Sequence, residues 1–183
     1  VYKKYNVEPD MAMFGKTLGN GYAITAVVGK KAVMEAAQKT FISSTFWTER
    51  IGPTAALATL KVMERIKSWD IINKIGKKMQ DGWSDLAQTN NLDITISGLP
   101  PITNFRFNYA HSLEYKTFLT QEMLKKGYLA STNFYACTEH SEQLLSTYFD
   151  ALNDVFRIIR KCELQEIDIL GLLEGPVCHV GFQ

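Results

Sequence analysis

Glu8-Pro9-Asp10-Met11-Ala12-Met13-Phe14-Gly15-Lys16-Thr17-Leu18-Gly19-Asn20-Gly21-Tyr22 decides how this 183-residue chain folds. Four apolar residues, Met11 to Phe14, follow Pro9-Asp10 and stop at Gly15, which predicts a short buried strand. Gly19-Asn20-Gly21 predicts a tight turn, because glycine and asparagine tolerate positive φ. Lys16 stands between the two, and no other charged residue occurs between Asp10 and Lys30. A lysine at the end of a buried strand is expected to have a lowered pKa, since burial disfavours the ammonium form. The neutral amine is the form that attacks an aldehyde. A lysine that merely reaches solvent from a strand end would leave the same local pattern.

Gly15-Lys16-Thr17 also matches the end of a phosphate-binding P-loop. That loop needs a glycine five residues before its Gly-Lys pair, so that backbone amides can cradle phosphates. Asp10 holds that place, and the residues between are an apolar strand. A carboxylate there would repel phosphate. The P-loop reading is excluded.

Outward from this segment, Ile24 to Val28 predicts a second strand closed by Gly29, and Lys31 to Lys39 a short helix. Thr40 to Gly52 has no clear period and is expected to be a loop. Pro53 suits a first helical turn, and Ala56, Leu57, Leu60, Met63 and Ile66 repeat every 3.6 residues, so a helix should run to about Lys67. A second helix is expected from Ile71 to Ala87, with Ile72, Ile75, Met79, Trp83 and Leu86 on one face. Asn90-Asn91 breaks it, and a domain boundary is expected at 88–93. Beyond it, strands around Ile94–Ile96 and Phe105–Phe107, a helix from Leu113 to Lys126 stopped by Gly127, an extended segment from Tyr128 to Ala136 and a long helix capped by Ser141 complete an α/β layout.

Twenty basic and nineteen acidic residues leave a net charge of +1, which argues against a nucleic-acid or acidic-membrane footprint. No apolar run approaches the roughly 20 residues that span a bilayer. Cys137, Cys162 and Cys178 are odd in number and form no CxxC pair, so free thiols in a reducing compartment, the cytoplasm, are expected. His111, His140 and His179 lack zinc-site spacing, and no metal role is assigned.

The segment Glu8–Tyr22 resembles the cofactor-lysine segment of class III aminotransferases, a Pro-Asp, four apolar residues, Gly-Lys and a glycine turn in one order. Ile24-Thr25-Ala26-Val27-Val28-Gly29 continues the match. The resemblance implies the C-terminal part of a fold-type-I PLP-dependent transferase, closest to glutamate-1-semialdehyde 2,1-aminomutase-like proteins. Lys16 would be the catalytic lysine that binds pyridoxal 5′-phosphate (PLP) as an internal aldimine. The family's second landmark is a threonine in a small-residue loop before an alanine-rich helix, which holds the cofactor phosphate across a homodimer interface. Ser43-Ser44-Thr45-Phe46, followed by Gly52-Pro53-Thr54-Ala55-Ala56, matches it, with Thr45 as the phosphate residue.

The same resemblance implies that residues 1–90 belong to the large PLP domain with its connecting helices, and 91–183 to a small α/β domain. The tail Leu173-Glu174-Gly175-Pro176-Val177-Cys178-His179 is similar to the tail of the aminomutase-like proteins. The partners implied are small-molecule amino and carbonyl substrates. The family's ring-binding aspartate, stacking aromatic and glycine-rich phosphate loop precede the lysine strand, so they are expected upstream of Val1, and the chain alone is expected to bind PLP poorly. Trp47-Thr48-Glu49-Arg50-Ile51-Gly52-Pro53 departs from the family's usual Gly-Gly-Asn-Pro stretch. Glu49 and Arg50 are expected to form a loop ion pair or to touch substrate. Arg106 is a carboxylate binder by type but, as a lone strand arginine, is left out of the site. Transamination, intramolecular amino transfer and a non-catalytic chain that keeps the fold are the three functional alternatives.

Overall fold

A computed structural model describes residues 5–43, 45 and 48–179. The chain divides into two compact units, Val1–Ser68 and Trp69–Gln183.

In the first unit, β1 (Met11–Phe14) pairs antiparallel with β2 (Ala26–Gly29), Met11 opposite Gly29 and Phe14 opposite Ala26. Asp10 and Lys30 close the base of this ribbon, with the Lys30 amide donating to the Asp10 carbonyl at 2.9 Å and an ion pair of the same length between the side chains. Asp10 is therefore occupied as a ribbon clasp. The expected helix over 31–39 forms as one α turn, α1 (Lys31–Met34), continued by a 3₁₀ stretch from Glu35 to Lys39. Helix α2 runs Ile51–Ile66 and ends at Lys67, whose left-handed φ of 51° turns the chain.

One expectation fails here. β1 is not buried: Met13 is 78% and Phe14 48% exposed. The apolar stripe of α2 is also largely open, with only Gly52 and Ala56 buried. An apolar period states that a face needs covering; within residues 5–68 no second layer of sheet or helix supplies the cover.

In the second unit, β3 (Ile94–Leu99), β4 (Ile102–Phe107) and β5 (Asn133–Tyr135) form an antiparallel sheet in the order 3-4-5. Helices α3 (Ser68–Thr89), α4 (Ser112–Lys125) and α5 (Glu142–Glu163) supply the apolar side chains that meet its inner face. Alternation along β4 sends Thr103, Phe105 and Phe107 inward and Ile102 and Arg106 outward. The core is built from Met79 and Trp83 of α3, Phe118, Leu119 and Met123 of α4, and Leu152, Phe156 and Ile159 of α5. Thr103, buried among them, is satisfied: its hydroxyl donates to the Ser97 carbonyl and accepts from Gln80, both at 2.9 Å. Ser141 caps α5 as expected, its Oγ accepting the Leu144 amide at 3.2 Å. Leu144, in the first turn of α5, is 41% exposed. No helix among the described residues is long and apolar enough to cross a membrane.

The packing of α3 on the β3–β4 turn yields a first prediction. A Cβ on Gly76 would lie 1.8 Å from the Pro100 carbonyl oxygen. Alanine is the better helix former by about 1 kcal/mol, yet the turn is backbone and cannot swing aside. Gly76→Ala is expected to lose about 1–3 kcal/mol net in urea denaturation; a more stable variant would show that α3 and the turn are further apart.

Candidate active site

Lys16 follows β1 after Gly15, in a 3₁₀ turn from Lys16 to Leu18. The turn is closed by its own backbone: the Leu18 amide donates to Gly15 at 3.1 Å, and the Gly19 and Asn20 amides to Lys16 at 3.2 and 3.3 Å. Lys16 itself has φ 48°, Asn20 47° and Gly21 108°. For a long side chain the left-handed region costs about 1–2 kcal/mol, and such outliers gather where a side chain must be aimed. Here the outlier is the lysine that the sequence singles out. Its side chain is exposed and makes no hydrogen bond or ion pair among the described residues. The expectation of a lysine buried at its strand end is therefore overturned: Lys16 is exposed, and like Lys67 at the end of α2 it takes a left-handed φ.

The Lys16 turn packs against α2. The two border an open groove of about 1210 Å³, whose lining includes Lys16, Asn20, Tyr22, Thr25, Ser43 and Glu49. Lys16 and Glu49 are the charged residues among its described lining. Drug-sized ligands occupy pockets of roughly 300–1,000 Å³, so the space is ample for a pyridine ring with a phosphate arm. The wall residues Asn20, Tyr22, Thr25 and Ser43 add amide and hydroxyl groups that the sequence did not mark out as site residues.

Thr45 is exposed and does not line this groove. Its neighbours Ser44, Phe46 and Trp47, part of the sequence motif, lie outside the described residues.

Glu49 departs from the expected loop ion pair. It forms no ion pair with Arg50 among the described residues. Its carboxylate accepts the Ile51 amide, and the Gly52 amide at 3.1 and 3.2 Å to its two oxygens. Arg50, at the N-cap position, offers no side-chain cap. The first two amides of α2 are therefore taken by an internal carboxylate. An acidic residue just ahead of a helix start was the available signal. Arg106 lies in the other compact unit, exposed on the outer face of β4, and makes no ion pair among the described residues.

The description Aminotransferase class-III matches residues 1–131. The 3-aminobutyryl-CoA aminotransferase of Cloacimonas acidaminovorans is 27% identical over 165 residues, covering 87% of this chain and 40% of that protein. A glutamate-1-semialdehyde 2,1-aminomutase from Methanosphaera stadtmanae is 28% identical, covering 81% and 39%. The fold matches the Sphingopyxis sp. MTA144 FumI protein, solved in its PLP internal aldimine form, with a TM-score of 0.82, 20% identity and coverage of 94% and 42%. An omega-transaminase from Sphaerobacter thermophilus matches with a TM-score of 0.76 at 14% identity, covering 85% of this chain and 40% of that one. The chain spans about 40% of the length of these relatives. Over that span, with the lysine turn inside the matched residues, it belongs to the class III aminotransferase family.

Proposed function

We propose that this chain carries the cofactor lysine of a PLP-dependent enzyme that moves an amino group from a donor to an aldehyde or keto acceptor. The observation that carries the reading is Lys16, held at positive φ on the wall of an open groove, inside the family-matched residues. Bound PLP supplies an aldehyde for amine exchange and a ring that takes up electrons from the substrate Cα–H bond. Lys16 Nζ would hold the cofactor and, when freed, would be the base that moves the proton at the substrate Cα.

Thr45 is the second cofactor residue in this reading, its hydroxyl donating to a phosphate oxygen. Its exposure, and its place outside the groove of its own Lys16, support a role toward a neighbouring subunit's cofactor in a homodimer. Residues 1–90 then belong to the large cofactor domain with its connecting helices, and 91–183 to the small domain. The compact units part at Ser68, one helix earlier, because α3 buries its apolar face in the second core. Free cysteines at 137, 162 and 178 suit a cytoplasmic enzyme.

A ¹⁵N-labelled amino donor and an unlabelled carbonyl acceptor test the transfer in the intact protein. Label is expected in the amine formed from the acceptor, and none there would end the reading. The mixed names of the relatives favour a second reading, an intramolecular aminomutase. A single amino-aldehyde turned over without any acceptor would select it. For Thr45, Thr45→Ala is expected to weaken PLP binding about tenfold, the size of one lost charge-assisted hydrogen bond, and to leave pyridoxal, which lacks the phosphate, within about twofold. Equal losses for both would remove Thr45 from the phosphate.

A further inference from the structure

The loop that carries Thr45 leaves the 3₁₀ stretch at Thr40, whose amide and hydroxyl both bond the Ala37 carbonyl, at 3.2 and 3.0 Å. Phe41 and Ile42, next along it, are 95% and 56% exposed, so packing holds little of its first half. Its far end is held at Glu49. There a single carboxylate collects the amides of Ile51 and Gly52, in the first turn of α2, where the helix dipole favours negative charge. A Cβ on Gly52 would lie 2.9 Å from the Ala23 carbonyl oxygen, 3.2 Å from Ile24 Cβ and 3.3 Å from Glu49 Oε2. Glycine at 52 thus lets three segments meet: α2, the residues that lead from the Lys16 turn into β2, and the end of the Thr45 loop. Glu49 also lines the Lys16 groove.

Resting on the reading of Thr45 as a phosphate residue, we propose that Glu49 is its positioning residue, an internal anion that clasps the Thr45 loop to the start of α2. Three residues lie between the two, so a fixed Glu49 keeps the Thr45 Cα within about 14 Å of it. With the clasp open, the chain between Thr45 and α2 loses this tie to the first helical turn, and Thr45 samples positions from which it misses a phosphate. One oxygen of the carboxylate accepts both amides, and the other shares the Gly52 amide. Gln at this position keeps one acceptor and turns the other into a donor facing an N–H, so it restores part of the clasp.

The test measures PLP and pyridoxal dissociation constants for the intact apoprotein carrying Glu49→Ala, Glu49→Gln, Thr45→Ala or the Thr45→Ala/Glu49→Ala pair, by absorbance titration, with thermal melts alongside. Glu49→Ala is expected to weaken PLP about tenfold, as the loss of a helix-end cap would allow, with pyridoxal changed less than about twofold. Glu49→Gln should lie between it and the parent, and the double variant should match Thr45→Ala, since a clasp has nothing to position once the hydroxyl is gone. PLP affinity unchanged by Glu49→Ala, while Thr45→Ala weakens it, overturns the clasp and leaves Thr45 in place. Equal loss of PLP and pyridoxal on Glu49→Ala also overturns it, marking a plain structural cap. An unaffected Thr45→Ala removes the phosphate reading and the clasp with it.

Discussion

Lys16→Ala is expected to abolish covalent cofactor attachment and to lower turnover by roughly a thousandfold or more, the scale of a lost proton-transferring group. Borohydride reduction of the PLP-loaded protein, followed by peptide mapping, should place the phosphopyridoxyl group on the Met11–Lys30 stretch at Lys16 in the parent and nowhere in the variant. Lys16 is the lone charged residue of positions 11 to 29, so the assignment to a side chain within that stretch is unambiguous. Lys16→Arg separates charge from chemistry. Guanidinium keeps the positive charge in the groove but stays protonated at any working pH, so it should fail as completely as alanine. The turn itself rests on backbone bonds among Gly15, Lys16, Leu18, Gly19 and Asn20, and both variants should melt close to the parent. A label on a different lysine, or an arginine variant that turns over normally, would end the proposal.

Trp83→Ala should be the most damaging core substitution, at about 3–5 kcal/mol. Trp83 is fully buried, its ring edge-on to Phe105 at 4.8 Å and to Phe134 at 6.4 Å. Its indole N–H donates to the Tyr148 hydroxyl at 3.1 Å. Burial pushes that phenol up to about 12, the indole hydrogen bond drawing it partly back, so Tyr148 stays a neutral partner at any ordinary pH. Removing the indole opens a cavity between α3, the sheet and α5 and leaves a buried hydroxyl without its donor. Trp69, on the same helix but 44% exposed, is the control: Trp69→Ala should cost under about 1 kcal/mol. Urea unfolding followed by circular dichroism checks both. Equal losses at 69 and 83 would show that the core is not centred on α3.

The two compact units were not equally legible. In the second, residues Ile75, Met79 and Trp83 recur at helical spacing and Phe105 and Phe107 alternate about Arg106; all five are buried as those periods require. Ser141 announced its helix by cap chemistry alone. In the first unit the strand over 11–14 and the helix after Gly52 were equally plain, yet the strand's burial was misjudged. A period says which face is apolar; it does not say whether a covering layer exists, since cover comes from residues distant in sequence. The loop at 41–50 had no period, and at its far end a side chain meets two amides a few residues on.

By itself the sequence determined the element order, the second core and the place of the lysine turn, because these depend on local period, turn chemistry and one motif in fixed order. The tertiary structure alone decided that Lys16 is exposed at positive φ, that Thr45 is absent from the lining of its groove, and that Glu49 accepts the first amides of α2. Those facts depend on distances between segments, and a distance across a fold follows from packing and backbone geometry that no short stretch of residues contains.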